Sequence, residues 1–86
     1  MLYPYAEFPN HLIITYSEVK PDQTIHVNFE QPTDWGFKEA RYSLPSHKVL
    51  FNDGFTPSET KLNEEILTKN EKLIVEFAKE GGVELA

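Results

Sequence analysis

Residues 24–30 carry the clearest alternation in the chain. Ile25, Val27 and Phe29 are apolar, and Thr24, His26, Asn28 and Glu30 around them are polar. Side chains on a strand point to opposite faces in turn, so this segment predicts an antiparallel strand with one face buried and one wet. Leu12-Ile13-Ile14-Thr15-Tyr16 is β-branched and aromatic, which suits a strand with Leu12, Ile14 and Tyr16 on one face. Lys20-Pro21-Asp22-Gln23 reads as the turn between the two, making a hairpin. From Phe37 to Leu44 the alternation returns, with Ala40, Tyr42 and Leu44 against Glu39, Arg41 and Ser43. Gln31 to Gly36 reads as the loop before it. Lys48 to Phe51 predicts a short fourth strand between Pro45-Ser46 and the turn Asn52-Asp53-Gly54. Residues 1–10 hold Pro4 and Pro9, which discourage helix. They read as an extended arm whose Tyr3, Tyr5 and Phe8 pack onto the body.

The period changes after residue 55. Thr56-Pro57-Ser58-Glu59 has the form of a capping box with proline at the first helical position. Leu62, Ile66, Leu73 and Phe77 follow at spacings of four, seven and four, one helical stripe that Ile74 and Ala78 widen. Thr68-Lys69-Asn70-Glu71 offers a second cap, so the stripe fits one helix or two joined near Asn70. Gly81-Gly82 ends it, because glycine readily takes the left-handed conformation of a C-cap.

One apolar sheet face and one apolar helix stripe make the minimal two-layer domain. The pattern predicts a small α+β fold: an antiparallel β-meander of three to four strands packed against a C-terminal helical segment. Residues 1–86 form a single domain, with the arm at 1–10, the sheet at 11–55 and the helical segment at 56–82. The expected core is Leu12, Ile14, Ile25, Val27, Phe29, Tyr42, Val49, Leu62, Ile66, Leu73 and Phe77.

Size sharpens this picture. A chain of 86 residues buries only about 60–65% of the surface its unfolded form exposes, so a thin core is expected, one to which a bound partner can add stability. With 13% aromatic residues the chain has enough to bury and is not expected to be disordered. It has no cysteine, which removes disulfides, thiolate nucleophiles and cysteine zinc sites together. A secreted domain of this size usually needs such staples, and Met1 to Glu7 lacks the basic and apolar regions of a signal peptide, so a cytoplasmic location is expected. Apolar runs such as Leu12-Ile13-Ile14 fall far short of a membrane span. The net charge of −6 is spread along the chain with no basic stripe. Nucleic-acid binding draws on Lys and Arg against phosphate, so the chain is poorly suited to it.

Little in the sequence points to catalysis. His11, His26 and His47 fit no metal-ligand spacing. Ser43, Ser46 and His47 are close in sequence but lack a nucleophile elbow and an oxyanion turn. The four glycines are scattered and form no phosphate loop. No cofactor is expected. Trp35, a lone tryptophan in a loop beside Asp34, Gly36 and Phe37, suits an aromatic anchor for a partner. A short meander also leaves unpaired backbone groups at its edges, which can accept a strand from another protein or a second copy.

From Phe8 to Gly81 the pattern resembles a family of small bacterial proteins, domain of unknown function family 4160. The matching pieces are Phe8 with Leu12-Ile13-Ile14, Ile25-His26-Val27-Asn28-Phe29-Glu30 and Glu39-Ala40-Arg41-Tyr42. Val49-Leu50 with Gly54-Phe55-Thr56-Pro57, and Asn70-Glu71-Lys72-Leu73, complete them. The chain departs from the pattern at Gln23-Thr24-Ile25, in a longer loop at 31–36, and in Phe77 or Ala78 where the family has tryptophan. The resemblance implies a protein partner, in pairs of the toxin–antitoxin kind. The expected function is a non-enzymatic protein-interaction module of the bacterial cytoplasm, with Asp34, Trp35, Phe37 and His26 as candidate partner-binding residues. A module that stacks single-stranded nucleic acid on Tyr3, Tyr5 and Trp35 beside Arg41, and a small hydrolase or nuclease using His26 and His47, are the competing expectations.

Overall fold

The structure is a computed structural model and describes residues 1–81. Five strands precede one helix: β1 (Leu2–Phe8), β2 (Leu12–Ser17), β3 (Ile25–Thr33), β4 (Gly36–Leu44), β5 (Lys48–Asp53) and α1 (Pro57–Lys79). The strands lie in sequence order in a single antiparallel sheet. The α+β meander with a C-terminal helix is as expected, with one strand more than the pattern gave.

The extra strand is the N-terminal arm. Proline lacks an amide donor, and β1 tolerates Pro4 because it is an edge strand. The register shifts between Pro4 and Ala6, so Tyr5 is bulged. Its ring is buried and its hydroxyl donates to Asn70 Oδ1 on α1 at 2.6 Å. Tyr3 and Phe8 pack against the same core, as the arm reading required. The loop at 31–36 is also shorter than its polar and proline content suggested. Thr33 still pairs with Gly36, and Pro32 stays in the ladder opposite Phe37.

The core follows the registers. Ile14, Phe29 and Ala40 form one cross-strand row, and Tyr16, Val27 and Tyr42 the next. All six are buried. Phe29 and Tyr42 meet edge to face with ring centroids 5.4 Å apart, a preferred aromatic geometry. Tyr16 has Tyr5 and Phe77 beside it at 6.4 and 6.3 Å.

The helix begins as its sequence says. Thr56 Oγ1 accepts from the Glu59 amide at 3.2 Å, and Glu59 Oε1 accepts from the Thr56 amide at 2.9 Å. It then runs unbroken through Asn70. Thr68 Oγ1 donates to the Glu64 carbonyl and Asn70 Nδ2 to the Ile66 carbonyl, so both side chains bond back within the helix instead of capping a second one. Gly81, at φ +84°, closes the end with its amide on the Ala78 carbonyl. Gly82 lies outside the described residues.

The helix phase differs from the expected stripe. Leu62 is 59% exposed and Leu73 44% exposed, whereas Asn63, Leu67, Ile74 and Ala78 are buried. Ile74 and Ala78, which widened the expected stripe, are buried, and Ile66 and Phe77 pack at the core's margin, so the buried face is that stripe turned toward its Ile74 side. Its centre line runs through Asn63, Leu67, Asn70 and Ile74, and the two asparagines hide it from a hydrophobic count. Asn70 is engaged by Tyr5 and by the Ile66 carbonyl. Asn63 sits over Tyr42, whose hydroxyl is raised above its ordinary value by burial and then by Glu64. Neither the Tyr42 hydroxyl nor Asn63 Nδ2 makes a well-formed hydrogen bond. Val49, expected in the core, is 42% exposed on β5. α1 packs chiefly on β2 and β3, and Asn52 Nδ2 of β5 reaches Thr60 Oγ1 near the start of the helix at 3.4 Å.

Candidate interaction surface

Two exposed features stand out from this frame, and both follow from the registers of β3, β4 and β5. The first is the β3–β4 hairpin tip. Thr33–Gly36 is the last pair, so Asp34 and Trp35 form a two-residue connection. Gly36, at φ +154°, has no atom within 4 Å of a would-be Cβ, so the tip stands clear of the body. The Trp35 amide donates to Thr33 Oγ1 at 3.4 Å, while its side chain is 98% exposed. Phe37, 59% exposed, stands two residues further on, opposite Pro32. Asp34, Trp35 and Phe37 therefore lie at this tip of the sheet.

His26 is not part of that group. It lies at the other end of β3, seven residues from Thr33, or roughly 23 Å of strand. Its amide donates to Ser17 Oγ at 2.9 Å, and it pairs with Ser43.

The second feature is β5. Every residue of the strand is exposed, including the consecutive Val49, Leu50 and Phe51. The register steps from Arg41–Phe51 to Tyr42–Val49, so Leu50 is the bulged residue. This run is the part that sequence reasoning missed. Three apolar residues in a row were its only signal, and they read equally well as a buried strand.

The sheet face away from α1 is polar. Glu30 pairs with Glu39, and Glu39 with Asp53, so three carboxylates line one cross-strand row. The neighbouring row runs Asn28, Arg41, Phe51. Arg41 Nε donates to Asn28 Oδ1 at 3.3 Å, and its guanidinium lies 5.3 Å from the centre of the Phe51 ring, a cation–π distance. No group of three or more histidine or acidic side chains suited to a metal occurs among the described residues.

The histidines assemble no catalytic constellation. His47 Nε2 meets Glu71 Oε1 at 2.5 Å, tying the β4–β5 turn to the middle of α1. A histidine oriented by a carboxylate is two-thirds of a hydrolytic triad. However, Ser46 Oγ accepts from the Lys48 amide, and no hydroxyl bonds the other His47 nitrogen among the described residues. His11 is exposed beside Glu7. A groove of about 410 Å³ near the start of α1 is lined by Phe8, Leu12, Phe55, Leu62, Asn63 and Ile66 among others. No helix among the described residues is long and apolar enough to cross a membrane.

Lys38 joins β4 to the start of α1. Its Nζ donates to Glu59 Oε2 at 2.6 Å and lies 5.9 Å from the Phe55 ring centre. This bond to Lys38, then the capping bond to the Thr56 amide, holds the Glu59 carboxyl below its ordinary value of 4.5. A carboxyl whose folded pKa is depressed stabilises the fold above its unfolded pKa and loses that contribution as pH falls through the folded value. Lys38→Met should therefore lower stability at neutral pH and reduce the loss seen on going below pH 4.5. Urea melts of both proteins at pH 7 and pH 3.5 check this, and curves that differ equally at the two pH values contradict it.

No family model, curated protein or solved structure matches the chain. The surface geometry is thus the basis for a functional reading.

Proposed function

We propose that the chain is a non-enzymatic protein-interaction module that engages its partner through the β3–β4 tip and the exposed edge β5. The near-complete exposure of Trp35 carries this reading. Tryptophan in water keeps a large apolar surface hydrated, and it is the residue most enriched at the energetic centre of interfaces. Phe37 beside it enlarges the anchor, and β5 adds an edge able to take up a strand. The resemblance to paired small bacterial proteins supports the same reading and suggests one member of a toxin–antitoxin-like pair in the cytoplasm. The carboxylate row Glu30–Glu39–Asp53 speaks against a nucleic-acid partner, because it would repel a phosphate backbone.

The test is capture from native lysate with the tagged chain and with the Trp35→Ala, Phe37→Ser double variant. Both residues are exposed, so the variant is expected to fold. A stoichiometric protein retained by the wild type and lost by the variant is the expected outcome. Equal capture by both, or an empty wild-type bait, counts against the reading.

A further inference from the structure

We infer that β5 pairs antiparallel with β5 of a second copy about a two-fold axis at Phe51, joining two five-stranded sheets into one of ten strands. This rests on the interaction-module reading and names the partner of one of its two surfaces.

The two sheet edges are unequal. β1 carries Pro4, which cannot donate, and its bulge turns Tyr5 under the helix. β5 has no proline and presents Val49, Leu50 and Phe51 to solvent. Such an edge invites strand addition.

The register comes from the bulge. In an unbulged strand Lys48 and Asp53, five residues apart, would face opposite ways. With Leu50 bulged, Lys48 pairs with Ser43, Phe51 with Arg41 and Asp53 with Glu39, all on the sheet face away from α1. Val49 and Asn52 pair with Tyr42 and Ala40 on the other face. The strand therefore reads, from either end, as charge, neutral, aromatic, neutral, charge. Antiparallel pairing about Phe51 sets Lys48 opposite the partner's Asp53, and Asp53 opposite the partner's Lys48. Val49 falls opposite the partner's Asn52, and the two Phe51 rings meet on the axis, each with an Arg41 guanidinium alongside. An interface of this symmetry must be self-complementary, and this one is.

The same register answers an electrostatic problem in the single chain. Glu39 and Asp53 are direct cross-strand partners, an arrangement that like charge destabilises. Neither Lys48 nor Asp53 has an ion-pair partner among the described residues. Pairing would bring the partner's Lys48 to the end of that row, as a cation beside Asp53.

Sedimentation equilibrium of the purified chain, from low to high micromolar concentration, tests the proposal. The expected mass rises from 9.9 kDa to twice that value. Lys48→Glu alone and Asp53→Lys alone each place like charges at both ends of the interface, and each should weaken association by roughly ten- to thirty-fold. The Lys48→Glu, Asp53→Lys double variant should restore it. An equimolar mixture of the two single variants should also associate, because every pair is then opposite in sign. A chain that stays at 9.9 kDa, or a dimer indifferent to these swaps, overturns the self-pairing. Capture that depends on Trp35 and Phe37 would then still stand, so failure of this inference is distinguishable from failure of the module reading.

Discussion

Phe29→Ala is expected to cost the fold about 3–5 kcal/mol of its stability. Phe29 is fully buried at the centre of the sheet, between Ile14 and Ala40 in the ladder and edge to face with Tyr42. Truncating a buried phenylalanine costs about 3–5 kcal/mol, from lost transfer energy and from the cavity left behind. A domain of this length has roughly 4–13 kcal/mol of total stability. The loss is thus a large part of the whole. The site has little means of collapsing, since its neighbours are held by the ladders of β2 and β4. Urea denaturation followed by far-ultraviolet circular dichroism gives the number. A loss below about 1 kcal/mol would mean that the side chain is not packed as described.

The second large effect separates two adjacent residues. Ile74→Ala should cost about 2–4 kcal/mol, because Ile74 is buried against the sheet. Leu73→Ala should cost under about 1 kcal/mol, because that side chain keeps much of its surface in water and alanine is the better helix former. The pair reads out the phase of α1 directly. Equal costs, or the reverse order, would place Leu73 and not Ile74 at the centre of the packed face.

That stripe shows where sequence reasoning reached its limit. Hydrophobic spacing gave the helix, its cap at Thr56 and its end near Gly81, because each rests on local backbone chemistry. It set the centre of the stripe too near Leu62 and Leu73, because Asn63 is buried and Asn70 half-buried on the packed face. Asn70 earns its place through the Tyr5 hydroxyl, a contact 65 residues away in sequence that no local pattern encodes. The core faces of β3 and β4 were legible from the alternation at 25–29 and 40–44, although Asn28 and Ser43 on the opposite face are also buried. β1 was not, because Pro4 and the bulge at Tyr5 break the period that announces a strand. The bulge at Leu50 hid the faces of β5 in the same way.

The candidate surface divides similarly. Trp35 was conspicuous as the single tryptophan beside a glycine, and the two-residue hairpin explains its full exposure. Phe37 follows from the same tip. His26 was named with them, and the length of β3 separates it. The self-complementary ends of β5 became visible only with the register, since Lys48 and Asp53 share a face solely because Leu50 is bulged.

Trp35 is the only tryptophan in the chain, so its fluorescence reports on the proposed anchor without a label. The direct measurement is acrylamide quenching of Trp35 in the purified chain and in the complex recovered from native lysate. Emission at the wavelength of fully hydrated indole and ready quenching in the free chain, followed by a blue shift and strong shielding in the complex, is the predicted result. Emission and quenching unchanged in the complex would show that Trp35 remains in water when the partner is bound, and would contradict its role as the anchor.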